Sequence, residues 1–555
     1  MRIKLLPSLL IAVVAITLLA SCSQKSNKQG RYIPNDAIFA AHFNGASLNE
    51  KLPWEEVKTN QLFKLAQADS TLDAIAKTTL DNPENTGIDI KKDLVAFVSK
   101  DSAGGYAAFE GTVKDAAKFK TYYTSVLKNA SPSQKEGIDY LTKENITVSW
   151  NKEMFVLVMD LPEMKEMSEL QQNSLFDSTA NTTPPAIAAR NTISTAENIY
   201  KIKEDKSLGK DERFSKMVND NADMHFWLNL EALYKSMPGM EAMAMVNFTK
   251  MYEESRMASS VNFDNGKISA KFSSYTNKEL AKIYKKYAGD NISADMATKL
   301  PAKEMAVYFA MNFKLQAIPE MVKLMGMDGL LNMAAGLMGF SMDDLVKAFK
   351  GDFQFAAYDF KTDSLGRTEP NVLFAATIGN KEAFGKIMAA AEKANKGAIE
   401  NEKVQYNKND QYFVLGNNKA DNDQFLASKG GNKPAFWDKI KNGSVGGFVN
   451  LQILMKSIDR EISTDSLGRE ALKISQAFWD NVYITGGKFD GNAWQMNVEV
   501  NLLDKNSNSL KQLNKYIDAM SVIAQKKKEL NNYPNFTEVP VDSIAPQVDT
   551  IAVKP

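Results

Sequence analysis

The only cysteine, Cys22, closes Leu19-Ala20-Ser21-Cys22 after an apolar run that opens at Leu5 and follows Arg2 and Lys4. A basic start, an apolar middle, small residues and then cysteine is the layout of an export signal. On that layout residues 1–21 are removed and the Cys22 sulfur takes a lipid, which anchors the chain to a bilayer. The run is too short for a comfortable membrane span. The only histidines, His42 and His225, sit in strand-like runs at places that related runs fill with Trp227, Ala310 and Phe448 or with Tyr308 and Gly446. Packed histidines are therefore expected rather than a zinc site or a Ser-His-Asp triad. Ser125-Val126-Leu127-Lys128 has the serine-lysine spacing of penicillin-recognising enzymes, but the companion Lys-Thr-Gly and Ser-Asp-Asn elements are missing. With no P-loop, dinucleotide fingerprint or calcium loop either, no catalytic residue, metal or cofactor is assigned.

Composition sets the outer bounds. At 555 residues the chain is too long for one ordinary core. It has 67 basic and 67 acidic residues, and removing Arg2 and Lys4 with the signal leaves it slightly acidic. No basic stripe stands out, so nucleic acid is not an expected partner. A single cysteine rules out an internal disulfide, and packing must hold the fold.

Between Cys22 and Arg31 the residues are polar, with Lys25, Lys28 and Arg31 and no acid. Residues 22–31 read as a tether, and about nine flexible residues reach on the order of 15–18 Å. The first folded unit is thus expected close to the lipid surface.

Beyond the tether the chain repeats a theme. A strand-like run ending in Asn and then a helical run occurs at Asn44, Asn229, Asn312 and Asn450. Asn at such a junction is a natural N-cap, since its side-chain carbonyl accepts from an orphan helix N–H. A hairpin from Asp93 leads to a helix holding Phe119, and one from Asp352 leads to a helix holding Phe384. Runs around Phe155 and Phe413 match, as do tight-turn hairpins at 261–267 and 487–492. The spacings are 268 for Asn44 to Asn312, 259 for Asp93 to Asp352, 265 for Phe119 to Phe384 and 221 for Asn229 to Asn450. The expected fold is α+β, a tandem duplication of two similar units over 32–290 and 297–520. Each unit is expected as an antiparallel sheet with helices packed on one face.

Met- and Gly-rich stretches follow two of the four Asn residues. Met240 and Met243 belong to the first, and Met325, Met327, Met333 and Met338 to the second. Unbranched, polarizable Met side chains fill irregular cores and also line surfaces that receive varied apolar shapes, so these six are candidate apolar contacts. Residues 526–555, with four prolines, read as a structureless tail.

Tyr32-Ile33-Pro34-Asn35-Asp36-Ala37, the Asn-Pro-Glu-Asn-Thr-Gly-Ile-Asp run at 82–89 and the hairpin after Asp93 together resemble a Bacteroidetes lipoprotein family catalogued as domain of unknown function 4836. The resemblance implies an envelope address and no assigned reaction. The tether lacks the acid-rich stretch of surface-exposed lipoproteins in such bacteria, and no Asp follows Cys22. Both point to the periplasm-facing leaflet of the outer membrane. Asp followed by Ser or Thr and a small or aliphatic residue occurs seven times, and it resembles the acceptor motif of the general O-glycosylation system of these bacteria. The candidate acceptors are Ser70, Ser102, Ser178, Ser364, Ser466, Ser543 and Thr550. Asp-Ser is also ordinary turn chemistry. The sequence reading is a lipid-anchored binding or scaffolding module for an envelope protein or an apolar ligand. The alternative is a hydrolase or transferase whose site forms only in the fold.

Overall fold

A computed structural model describes residues 28–68, 77, 81–161, 190–237, 247–362, 368–395, 404–458 and 465–532. The first half contributes strands β1 (Phe39–Phe43), β2 (Leu94–Asp101), β3 (Gly104–Thr112), β4 (Ser131–Lys135), β5 (Ile138–Lys143), β6 (Ile146–Trp150), β7 (Met154–Leu161), β8 (Met224–Asn229), β9 (Arg256–Asp264) and β10 (Lys267–Tyr275). The second contributes β11 (Met305–Asn312), β12 (Phe349–Thr362), β13 (Thr368–Ile378), β14 (Gln405–Lys408), β15 (Tyr412–Gly416), β16 (Val445–Asn450), β17 (Trp479–Asp490) and β18 (Ala493–Leu502). Among the described residues, eighteen α-helices connect or cover them.

All pairings are antiparallel, and they join the strands into one sheet in the order β4-β5-β6-β7-β3-β2-β1-β8-β9-β10-β18-β17-β16-β11-β12-β13-β15-β14. The expectation of a separate sheet in each unit is corrected here. β10 and β18 would each be a bare edge on its own, with a row of unpaired N–H and C=O groups. They satisfy each other instead, from Lys267 opposite Asn501 to Tyr275 opposite Ala493.

Helices lie against both faces, which corrects the one-face expectation. On one face, Ala196 and Ile199 of helix Thr192–Tyr200 and Phe214 of helix Glu212–Val218 pack on Phe97, Tyr106, Val156 and Trp227. In the second half Met296, Phe425 and Trp437 take that role over Tyr308, Tyr358 and Leu373. On the other face, Phe119 of helix Ala116–Val126 meets Phe155 at 5.3 Å, and Phe384 of helix Lys381–Asn395 meets Phe413 at 5.6 Å. The reason is local: runs such as Leu94-Val95-Ala96-Phe97-Val98 are apolar without alternation, so both faces of the strand need cover. Burying one Phe this way contributes roughly 1.5–3 kcal/mol.

Asn44, Asn229 and Asn450 cap their helices, accepting from Ser47, Ala232 and Ile453 N–H at 3.1, 2.9 and 3.1 Å. Asn312 does not. Its carbonyl accepts from Asp290 N–H at 2.8 Å and its amide donates to Asp352 at 2.7 Å, tying β11 to β12. Within the 22–31 segment, Lys28–Gly30 forms a helical turn, and Arg31 donates to the Ile202 carbonyl at 2.7 Å. The last helix, Ser509–Asn532, runs seven residues into the segment expected as a tail.

Candidate functional site

Alternation along paired strands assigns every strand residue to a face. Directly opposed residues on one face run Leu157, Phe109, Ala96, Ala41, Phe226, Ser259, Phe272 and Met496 across eight strands. Two residues along β18 from Met496, the row Val498, Ile484, Gly447, Phe309, Phe355 and Phe374 continues on the same face. Among the described residues, the large apolar strand side chains that stay more than a third exposed are Met159, Phe309, Phe355 and Met496, and all four point to this face. At the seam the other face is polar, with Lys267 bound to Glu499 at 2.9 Å and Ser273 to Gln495 at 2.7 Å. Phe309, Phe355 and Met496, on β11, β12 and β18, thus leave part of this apolar face accessible to solvent, a feature of interaction surfaces.

The Met-rich helices stand beside it. Met325 follows helix Ala317–Leu324 and is partly buried, as is Met327. Met333 and Met338, with Leu330 and Leu337, leave more than half of their surface exposed on helix Asp328–Met338. Met240 and Met243 lie outside the described residues, as do Cys22, Ser70, Ser178, Ser364, Ser543 and Thr550. Ser102 is exposed in the β2–β3 turn, where the Asp101 carboxylate accepts from Ala103 N–H at 2.8 Å and pairs with Arg190. Ser466 is exposed at the start of a helix capped by Asp465. Both Asp-Ser pairs perform the turn and cap chemistry that their residue types favour.

Two clefts of about 410 and 490 Å³ occupy matching places. Five of the ten residues lining the first are Asp36, Lys100, Ala232, Lys235 and Ser236, and five of the eight lining the second are Glu304, Asp359, Ile453, Lys456 and Ser457. Spacings of 268, 259 and 221 carry each residue of the first set onto one of the second.

The histidines are not separate packed residues. His42 and His225 oppose each other across β1 and β8, almost wholly buried, with their Nδ1 atoms 3.0 Å apart. His225 Nε2 lies 2.7 Å from Asp220, and His42 Nε2 lies 3.5 Å from Asp93, which Gln29 also reaches at 3.1 Å. The Nδ1 contact needs one proton and the Asp220 contact another, so the neutral pair has His42 donating to His225 and His225 donating to Asp220. A third proton, on His42 Nε2, would face Asp93. Among the described residues His42 Nε2 has no hydrogen-bond partner, but the nearby His42 ring and, less, the Gln29 amide hold the Asp93 carboxyl below its usual range against the opposing effect of burial. Burial pushes the Asp220 carboxyl up, but bonds from His225 and Ser260 outweigh it and hold the group low. Sequence spacing gave no sign of this pair, because 183 residues separate its members and only the strand register brings them together.

Glu110 of β3 is a second buried titratable group, with one carboxyl oxygen unpartnered, and burial pushes it up to about 8. Ser125 donates to the Tyr122 carbonyl of its own helix, which is local chemistry. Among the described residues no group of three or more His, Cys, Asp or Glu side chains has metal-binding geometry, and no helix is long and apolar enough to cross a membrane.

The family described as Domain of unknown function (DUF4836) matches residues 31–415. No curated protein matches the chain. Crystal forms I, III and IV of TP0453 are similar over 46%, 48% and 47% of this chain and 81%, 90% and 87% of theirs, at 10%, 11% and 12% identity. The TM-score is 0.23 in each case, too slight a likeness to argue from.

Proposed function

From the premise that the chain belongs to the DUF4836 family, we propose that it is a cell-envelope lipoprotein whose sheet holds an apolar or amphipathic ligand. The observation that carries this reading is that Phe309, Phe355 and Met496, on one face of β11, β12 and β18, each stay more than a third exposed. A soluble domain gains nothing by leaving such a surface bare unless something covers it part of the time. The anchor is the lipidated Cys22, and the address is the periplasm-facing leaflet of the outer membrane. Support for both comes from the order of residues 1–22 and the acid-free stretch that follows. Only five residues separate Cys22 from the first described turn at Lys28, which keeps the folded part near the bilayer. Ser102 and Ser466 are accessible to a glycosylating enzyme.

The chain is further proposed to be a tandem duplication with units over 32–290 and 297–520. In support, the strand order reads alike outward from the β10–β18 seam, β9-β8-β1-β2-β3-β7 on one side and β17-β16-β11-β12-β13-β15 on the other. Five lining positions of the two clefts also correspond at the spacings of 268, 259 and 221.

The test is native mass spectrometry of the mature protein, with and without extraction, alongside titration with a fluorescent apolar dye. Bound lipid or saturable dye binding, lost on Met496→Glu, is the expected result. A protein that carries no lipid and binds no dye refutes the reading.

A further inference from the structure

In the first half of the chain, the segment before β1 and the segment before helix Glu212–Val218 are joined. Pro34 pairs with Ser207, Asn35 N–H donates to the Lys206 carbonyl at 2.9 Å, and Leu208 N–H donates to the Ile33 carbonyl at 2.8 Å. Ile33 and Leu208 are wholly buried there, in one core with Phe214 and Trp227. Arg213, just before Phe214, is held by Asp211 at 2.6 Å and lies 5.8 Å from the centre of the Trp227 ring. The chain closes this place with its own side chains.

In the second half, where β11 and β16 pair as β1 and β8 do, the matching segments part. Among the described residues, one backbone bond joins 298–304 to 428–434, from Gly431 N–H to the Thr298 carbonyl at 2.9 Å. Ala302, which follows Pro301 as Asn35 follows Pro34, makes no hydrogen bond within the described protein. The donor that crosses is thus Leu208 in one half and Gly431 in the other, and glycine brings no side chain to fill the gap. A Cβ on Gly431 would meet only the Thr298 carbonyl oxygen, at 3.5 Å. The residue before the buried Phe436 is Ala435, which lacks the reach of Arg213.

The result is a cleft of about 670 Å³ with Leu300, Ala302, Gly431 and Asn432 in its walls. Phe436, Phe448 and Tyr483 line its floor, with successive ring centres 4.4 and 5.4 Å apart. Tyr483 opposes Phe448, whereas Ala258 opposes Trp227. Alternation sets Phe448 on the face opposite Gly447 and Phe309, so the cleft is separate from the exposed apolar face. An apolar floor under a polar rim, at this volume, is the form of a ligand site.

We infer that this cleft receives an extended peptide carrying a Leu-sized aliphatic side chain. In the first half the Lys206 carbonyl takes the Asn35 N–H and, two residues on, the Leu208 side chain fills the core. A bound peptide supplies both to the second half: one carbonyl accepts from Ala302 N–H, and the side chain two residues on lies against Phe436, Phe448 and Tyr483. Main-chain bonds to an open backbone, with a pocket for one side chain, are the terms on which strand-like peptides are recognised. The inference goes beyond the apolar-face reading and does not depend on it.

The probe is fluorescein-labelled Asp-Lys-Ser-Leu-Gly-Lys, the first half's own residues 205–210, followed by anisotropy on the mature full-length chain. Saturable binding is expected, and the control Asp-Lys-Ser-Gly-Gly-Lys, which lacks the side chain to be buried, should bind at least about tenfold more weakly. Gly431→Leu supplies that side chain from within and should weaken the peptide about tenfold. Tyr483→Ala, which copies Ala258, should weaken it as well, and either variant serves if the other fails to fold. Met496→Glu, on the opposite face, should leave peptide binding unchanged. A peptide that does not bind, or that binds as well in its control form and in both variants, overturns the site. Peptide binding abolished by Met496→Glu also overturns it, since the peptide then sits on the exposed face. Dye binding that is lost on Met496→Glu, with no peptide binding, overturns this inference and leaves the apolar-face reading intact.

Discussion

The strand pairs β1–β8 and β11–β16 hold the same place in the two halves of the sheet, but they are built from different side chains. Where His42 opposes His225, Ala310 opposes Gly446. Where β3 buries Glu110, β13 buries Ala375, 265 residues on. At these three strand positions the first half thus buries a titratable group, and the second makes the same backbone with Ala and Gly. A strand pair that forms without the histidines does not require them for its hydrogen bonds. Their presence in the first half therefore calls for a reason besides folding. In the second half the space is taken: a Cβ on Gly446 would lie 2.6 Å from Ile292 Cδ1 and 2.9 Å from the Ile440 carbonyl oxygen.

The largest effect should come where the halves agree. Phe119→Ala and Phe384→Ala each remove a fully buried ring, and each should cost about 3–5 kcal/mol in denaturant unfolding. A cost at one site and none at the other would break the equivalence. Next, Gly446→Val should destabilise by about 1–3 kcal/mol through overpacking against Ile292 and Ile440, whereas a tolerant Gly446 would show that the second half could have carried the pair.

Glu110 sharpens the contrast through pH. Its carboxyl is raised from 4.5 to about 8 in the folded chain, so between those values the folded state holds a proton that the unfolded state has lost. The stability contributed by protonated Glu110 is complete below about pH 4.5 and is lost as pH rises through about 8. Glu110→Gln should remove that slope and, at pH 8, recover about 1–3 kcal/mol of the penalty for a buried unpaired carboxylate. Melting curves at pH 5 and pH 8 check it, and an unchanged slope rejects this account of Glu110.

For the histidines the informative quantity is coupling. His42→Ala alone strands Nδ1 of His225, and His225→Gly alone strands Nδ1 of His42. The double variant, which copies Ala310 and Gly446, should cost less than the two singles together by about 0.5–3 kcal/mol. Strict additivity would mean that the 3.0 Å contact contributes nothing. The smallest effect belongs to the cleft surfaces: Lys235→Ala loses an i,i+4 pair with Glu231 at 2.7 Å, and about 0.3–0.5 kcal/mol with it.

Much of the fold was legible because it is local. Hairpins at 94–112 and 256–275 follow from alternating or continuous apolar runs around turn residues. Asn44, Asn229 and Asn450 announce helix starts because a cap needs only three residues to define it. Asn312 has the same flanking pattern and fails as a cap, since Asp352 and the backbone of Asp290 compete for its side chain from distant parts of the chain. The match of His42 to Trp227, Ala310 and Phe448 led to a packed-residue reading. That reading was right about burial and silent about the partner.

By itself the sequence determined most element types, three of the four Asn caps, the matched spacings of Phe119 and Phe384, and a lone cysteine set at the end of an apolar run. Each of these rests on neighbours a few residues apart or on residue types alone. Only the tertiary structure decided that two expected sheets are one, that helices cover both faces, that the histidines meet, and that the exposed Phe and Met residues share a face. Those outcomes depend on strand register. A one-residue slip moves every side chain to the opposite face, and register is settled by pairing between segments that lie far apart in the chain.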